Sequence, residues 1–145
     1  MSGHPYDTDL DKNPANYQAL SPLSFLEWSA STYPDTTAVV HGPLKRSYRE
    51  FYARCRKLAS ALAKAGIKKG DTVAVFAPNI PAMLEAHYGV PMIGAVINAI
   101  NTRLDGPAVG FILDHGEAKV LLVDRELSGV AKEALEHATV KPLVI

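Results

Sequence analysis

An α/β fold, with a mostly parallel sheet flanked by helices and a small antiparallel hairpin ahead of it, follows from three observations. Short apolar runs rich in β-branched residues recur at 72–77 (TVAVFA), 95–100 (AVINAI), 119–123 (KVLLV) and 142–145 (PLVI). Between them lie segments whose apolar residues fall at helical spacing. Such runs suit strands buried on both faces, and their alternation with helices implies right-handed βαβ crossovers.

Residues 1–20 (MSGHPYDTDLDKNPANYQAL) are polar and without period, so an irregular N-terminal arm is expected there, followed by one α/β unit over 21–145. Ser21 followed by Pro22 is a helix start, because the hydroxyl can accept an orphan amide bond and a first-turn proline loses none. Leu23, Leu26 and Ala30 supply that helix's buried stripe, and Pro34 ends it. The TAVV run at 37–40 then pairs, through a turn at Gly42 and Pro43, with the segment Lys45 to Ser47.

Ser47 with Glu50 three residues on is a capping-box pattern, and Phe51, Cys55, Leu58 and Leu62 continue it at helical spacing. A helix over about 48–65 follows, with Gly66 as its left-handed cap. Asn79 is positioned to cap a helix carrying Met83, Leu84, His87 and Tyr88; Asp105 to cap one carrying Val109, Ile112 and Leu113. A last helix, 127–138, carries Val130, Ala134 and Leu135. Pro91 lacks a backbone donor and clashes with the preceding turn, so the second of these helices should kink or end near Tyr88 to Val90. The sequence given stops at Ile145 inside an apolar strand pattern, which reads as the N-terminal portion of something longer.

Composition narrows the function. A chain of 145 residues is long enough to bury roughly 70% of the surface its unfolded form would expose. Its hydrophobic fraction of 48%, charged fraction of 21% and formal net charge of +0 supply no field to draw nucleic acid or an anionic membrane. The lone Cys55 excludes an intrachain disulfide and a cysteine zinc site, and agrees with a reducing compartment. With no apolar run of membrane-spanning length and no secretory leader, a cytoplasmic protein is expected.

Neither a G-x-G-x-x-G after a strand nor a G-x-x-x-x-G-K-[ST] loop occurs, and no serine sits on a nucleophile elbow. His4, His41, His87, His115 and His137 lack metal-ligand spacing and read as surface or satisfied core residues. Cys55 lies on an apolar helical stripe, as an inert packed thiol does. Trp28 and Tyr33 read as packing anchors. Two residues fall where open α/β sheets bind ligands, at the carboxyl ends of strands. Asp124 is one, either lining a site or capping the next helix. Arg103 is the other, either forking onto a phosphate or pairing with Asp105 and strand-end carbonyls.

The residues also resemble a family. Gly70, Asp71, Val73, Ala74 and Val75, then Pro78 and Asn79, then Gly94, Ala95 and Val96, then Asn101, Arg103 and Leu104 are similar to the N-terminal region of the AMP-forming acyl-CoA synthetases. That adenylating superfamily also contains luciferases and peptide-synthetase adenylation domains. Tyr33, Pro34 and Asp35 and the segment Ser47, Tyr48, Glu50 and Phe51 match its opening pattern, so the resemblance runs from about Ser21 to Ile145. The stretch NPANYQALSPLSFLEWSA resembles the branch acting on short- and medium-chain fatty acids, including methylthio-propionate ligases.

The resemblance implies a two-step ligase that uses ATP, Mg and coenzyme A on a carboxylic acid, here a fatty acid. It also implies that the phosphate loop, the magnesium-binding acid, the ribose-binding aspartate and the catalytic lysine come later than this stretch. Within it no catalytic or metal-binding residue is assigned, and one cofactor-binding residue is: Arg103, matching the arginine of the N-x-R-L segment, which in some members faces the coenzyme A phosphates. Pro91, and the helix-poor start Gly106-Pro107, depart from the family pattern. Two other readings stand beside this one: a freestanding α/β ligand-binding or regulatory module, and a scaffold that forms a homodimer through a bare sheet edge.

Overall fold

The computed structural model describes residue 13, residue 15 and residues 17–145, so most of the expected N-terminal arm lies outside the described residues. The first helix, α1 (Pro22–Thr32), starts where Ser21 Oγ accepts the Leu23 amide at 3.2 Å. The hairpin follows as β1 (Thr37–His41) and β2 (Leu44–Ser47), paired antiparallel. Helix α2 (Tyr48–Lys64) carries the reciprocal capping box: Ser47 Oγ accepts from Glu50 N, and Glu50 Oε2 accepts from Ser47 N at 2.8 Å. Gly66 takes φ +88° beyond its end, a conformation that favours a residue without Cβ.

The parallel sheet contains β3 (Thr72–Phe76), β4 (Val96–Ala99), β5 (Ala118–Val123) and β6 (Leu143–Val144) in the order β4-β3-β5-β6. Helices α3 (Pro81–Gly89), α4 (Gly106–His115) and α5 (Ser128–His137) connect them. Because strand side chains alternate, β3 serves two cores. Val73 and Val75 join Leu62 of α2 and Met83, Ala86 and the adjoining Val90 on one face. Ala74 and Phe76 join Val109 and Leu113 of α4 and Ala131 and Ala134 of α5 on the other. A third cluster, Leu26, Val39, Phe51 and Cys55, seats α1 and the hairpin on α2.

Several expectations change. Asn79 does not cap α3: Ile80 holds the cap position with no side-chain bond, and Pro81 opens the helix. A proline forces its predecessor out of helical geometry, which moves the start one residue past Asn79's reach. Not all the strands are buried on both faces, since β4 and β6 are sheet edges and Val96, Leu143 and Val144 are exposed. Trp28 and Tyr33 are not core anchors. They are 58% and 51% exposed and meet each other edge-to-face at 5.6 Å. As expected, Pro91 ends a helix: α3 stops at Gly89, and Pro91–Ile93 form a single 3₁₀ turn before Gly94 at φ +72°.

The Gly106-Pro107 start is compatible with a well-formed helix. Asp105 Oδ1 accepts the Ala108 amide at 3.0 Å, and Pro107 lies in the first turn, where its missing N–H costs nothing. A Cβ on Gly106 would meet only the exposed, flexible Glu133 side chain, whereas one on Gly110 would come within 2.8 Å of the Ala134 carbonyl oxygen. Gly110 lets α4 lie close against α5. Asp114, at the end of α4, accepts the Thr139 and Val140 amides beyond α5, and these bonds hold its carboxyl below the usual carboxylate range.

Gly110→Ala should therefore destabilise the fold by about 1–3 kcal/mol, as overpacking against a backbone atom does. Gly129→Ala, where a Cβ meets nothing within 4 Å, should stabilise α5 by roughly 0.5–1 kcal/mol. Urea unfolding of the two variants tests the opposite signs.

Candidate functional site

Parallel strands end along one edge of the sheet, so the loops after β3 (residues 77–80) and β4 (residues 100–105) and Asp124 after β5 gather there. Arg103 lies in the second of these loops and is exposed. Its backbone N–H donates to Asn101 Oδ1 at 3.0 Å, and the Leu104 amide bonds the Asn101 carbonyl at 3.3 Å. Asp105 caps α4 and forms no ion pair with Arg103. Among the described residues the Arg103 guanidinium has no ion-pair partner, which leaves its planar fork available to an anion.

Beneath that loop is a cavity of 560 Å³ between the ends of β3 and β4. Asn79, His87, Asn101 and Thr102 supply its polar wall, and no lysine, arginine or carboxylate lines it. His87 Nδ1 lies 2.9 Å from the Met83 carbonyl oxygen. A carbonyl only accepts, so Nδ1 carries a proton in this contact. On the hairpin side of α3 a second, more apolar cleft of 590 Å³ is lined by Val39, Val40, Ile80 and Leu84, with His41 and His87 among its few polar groups.

Asp124 fulfils its capping alternative, accepting the Glu126 amide at 2.9 Å, and also lines a 410 Å³ cleft opposite Arg54 and Lys57. Among the described residues no group of three or more His, Cys, Asp or Glu side chains could hold a metal ion. His115 stacks on Phe111 at 5.7 Å, and His4 lies outside the described residues.

One buried charge escaped the sequence reading. Glu85, only 6% exposed, accepts at Oε1 from Arg46 of β2 and Arg54 of α2, each at 2.5 Å. Its hydrogen bond raises the Arg54 pKa. The available signal was a carboxylate between Leu84 and Ala86 in an otherwise apolar helix, which calls for buried cationic partners.

Comparison with known proteins places this geometry. The family model described as AMP-binding enzyme matches residues 26–145. The chain is 52% identical over 127 residues to a peroxisomal acetate/butyrate CoA ligase of Arabidopsis thaliana, covering 88% of this chain and 22% of that protein. With an acetate CoA ligase of Humulus lupulus it shares 48% identity over 136 residues, 94% of this chain and 24% of the relative. The chain thus spans about a quarter or less of the length of these relatives. A solved fatty acyl CoA synthetase of Mycobacterium tuberculosis superposes with a TM-score of 0.76 at 29% identity, covering 85% of this chain and 26% of that one.

Cys55 is 0% exposed, and its thiol is pushed up to about 12, first by burial and then by the Glu85 charge. Little thiolate exists at neutral pH under those conditions. Ellman's reagent should therefore leave the native protein unlabelled and titrate Cys55 only after denaturation.

Proposed function

Because the chain belongs to the AMP-binding enzyme family, we propose that it is the N-terminal α/β portion of an ATP-dependent, AMP-forming acyl-CoA synthetase acting on a short-chain fatty acid. The observation that carries this reading is the 52% identity, over 88% of the chain, to a ligase named for acetate and butyrate. The reaction joins a carboxylate to the α-phosphate of ATP with loss of pyrophosphate, and the thiol of coenzyme A then displaces AMP. Magnesium bound with ATP would neutralise phosphate charge in the first step.

Residues 21–145 act here as one scaffold subdomain, and Arg103 contributes binding rather than chemistry. Its exposed guanidinium sits on a loop tied down by Asn101 and by the Asp105 cap, so it meets a coenzyme A phosphate with little ordering cost. The remaining machinery, and the residues that select the acyl chain, belong to the rest of the same polypeptide. A freestanding α/β binding module is the rival reading, and a sheet-edge homodimer is separable from both by light scattering. No helix among the described residues is long and apolar enough to cross a membrane. Between the cytoplasm and the peroxisome of the Arabidopsis relative, fluorescence imaging of the complete protein with its C-terminus free decides.

In the complete enzyme, Arg103→Ala should raise KM for coenzyme A about 10- to 100-fold, the worth of a hydrogen bond to a charged group, and leave adenylation nearly intact. Equal loss of both half-reactions would point to misfolding instead. The 145-residue chain by itself should show no carboxylate-dependent pyrophosphate exchange, and exchange by that chain would sink the scaffold reading.

A further inference from the structure

Resting on the reading of this chain as the N-terminal portion of a longer ligase, we propose that the cleft between α2 and the carboxyl ends of β3 and β5 is an interface for a later segment of the same polypeptide. That segment brings an apolar face and a carboxylate to Lys57 and Arg54.

The helical cover of the sheet is unfinished at this place. A parallel sheet is buried on both faces, and here α4 and α5 pack on one face while α2 and α3 pack on the other. The second cover stops short. Strand β5 is interior, paired with β3 and β6, yet Leu122 near its end is only half-buried and lines a 410 Å³ cleft beside Val75 and Ala77. The facing wall is a stripe of α2. Arg54, Lys57, Leu58 and Ala61 stand at helical spacing on it, apart from the stripe of Phe51, Cys55, Ala59 and Leu62 that α2 already buries.

Charge defines the rest of the occupant. In and beside the cleft three cations, Arg46, Arg54 and Lys57, stand against two carboxylates, Glu85 and Asp124. Arg54 donates to Glu85 through Nε, which leaves its outer nitrogens for another acceptor. Lys57 has no ion pair among the described residues, and Asp124 pairs with neither cation. A body that seals the apolar floor strips water from Lys57 and from the outer edge of Arg54, which is costly unless it also supplies a countercharge. A carboxylate flanked by apolar side chains meets both demands. The chain spans 22% and 24% of two relatives, so on the proposed reading most of the polypeptide is available to supply it. Ile145 lines the cleft, and a continuation would leave from its rim at high effective concentration.

The experiment uses the complete enzyme, whose intact mass first shows whether the polypeptide continues past Ile145. A mass that stops there overturns the ligase reading itself. In the longer protein an N-hydroxysuccinimide acetate should acetylate Lys57 about 10- to 100-fold more slowly than Lys132, exposed on α5 across the sheet, because a hydrogen bond to a charged group protects by that factor. A carbodiimide, which joins an amine to a carboxylate in contact with it, should link Lys57 to an aspartate or glutamate beyond residue 145 of the same chain. Acetylation of Lys57 as fast as that of Lys132 overturns the proposal. So does a link that joins Lys57 only to Asp124 or Glu85, or only to a second copy in a cross-linked dimer. Lys57→Glu gives an independent sign: against a docked carboxylate it should lower the thermal midpoint by a few degrees, whereas on an open face it gains Arg54 one turn away and does not. An unchanged or raised midpoint overturns the proposal as well.

Discussion

Strand β3 is hydrogen-bonded on both edges and covered on both faces, and that constraint orders the rest of the molecule. Val73, Ala74, Val75 and Phe76 are each no more than 3% exposed, and the strand pairs in parallel with β4 on one side and β5 on the other. A slip of one residue would turn Phe76 toward α2 and α3 and set valines against the α4 and α5 layer. With the register locked, the chain must leave the sheet at Ala77. The Asn79 to Pro81 turn therefore has a fixed starting point, and so does the cavity it walls.

Close helix contacts carry the same constraint outward. A Cβ on Gly89 would lie 2.9 Å from the Cys55 carbonyl oxygen, so α3 rests almost backbone to backbone on α2. Glu85 adds a polar tie at that interface, receiving one arginine from the hairpin and one from α2. Burying a carboxylate costs several kcal/mol, so two short charge-assisted bonds are what make the arrangement tolerable. The tie joins three elements, the hairpin, α2 and α3, that also share an apolar cluster. It also fixes the helix that carries His87 two residues further on.

Local signals were legible wherever the physics is local. The capping box of Ser47 and Glu50, the Asp105 cap, the left-handed Gly66 and the break at Pro91 each depend on a few neighbouring residues, and each stands in the structure as read. Strand position did not yield to the same reasoning. The AVINAI and KVLLV runs look alike, yet one is an edge and the other is interior, because sheet order depends on where the crossovers lead. Trp28 was misplaced for a related reason: aromatic size says that a residue can bury surface, not that a partner surface is present. Arg103 could be placed at a strand exit from sequence, but its freedom could not, since that depends on Asp105 spending its carboxylate on the Ala108 amide.

That division of polar labour explains why a loop off an edge strand can still hold a defined conformation. In residues 101–105 the Asn101 oxygen serves the Arg103 amide and the Asp105 oxygen serves the helix start, so the backbone is satisfied from within. Loop ordering is then largely complete before any ligand arrives, and binding need not supply it. What remains unspent is one guanidinium and, below it, a wall of neutral hydrogen-bond donors and acceptors.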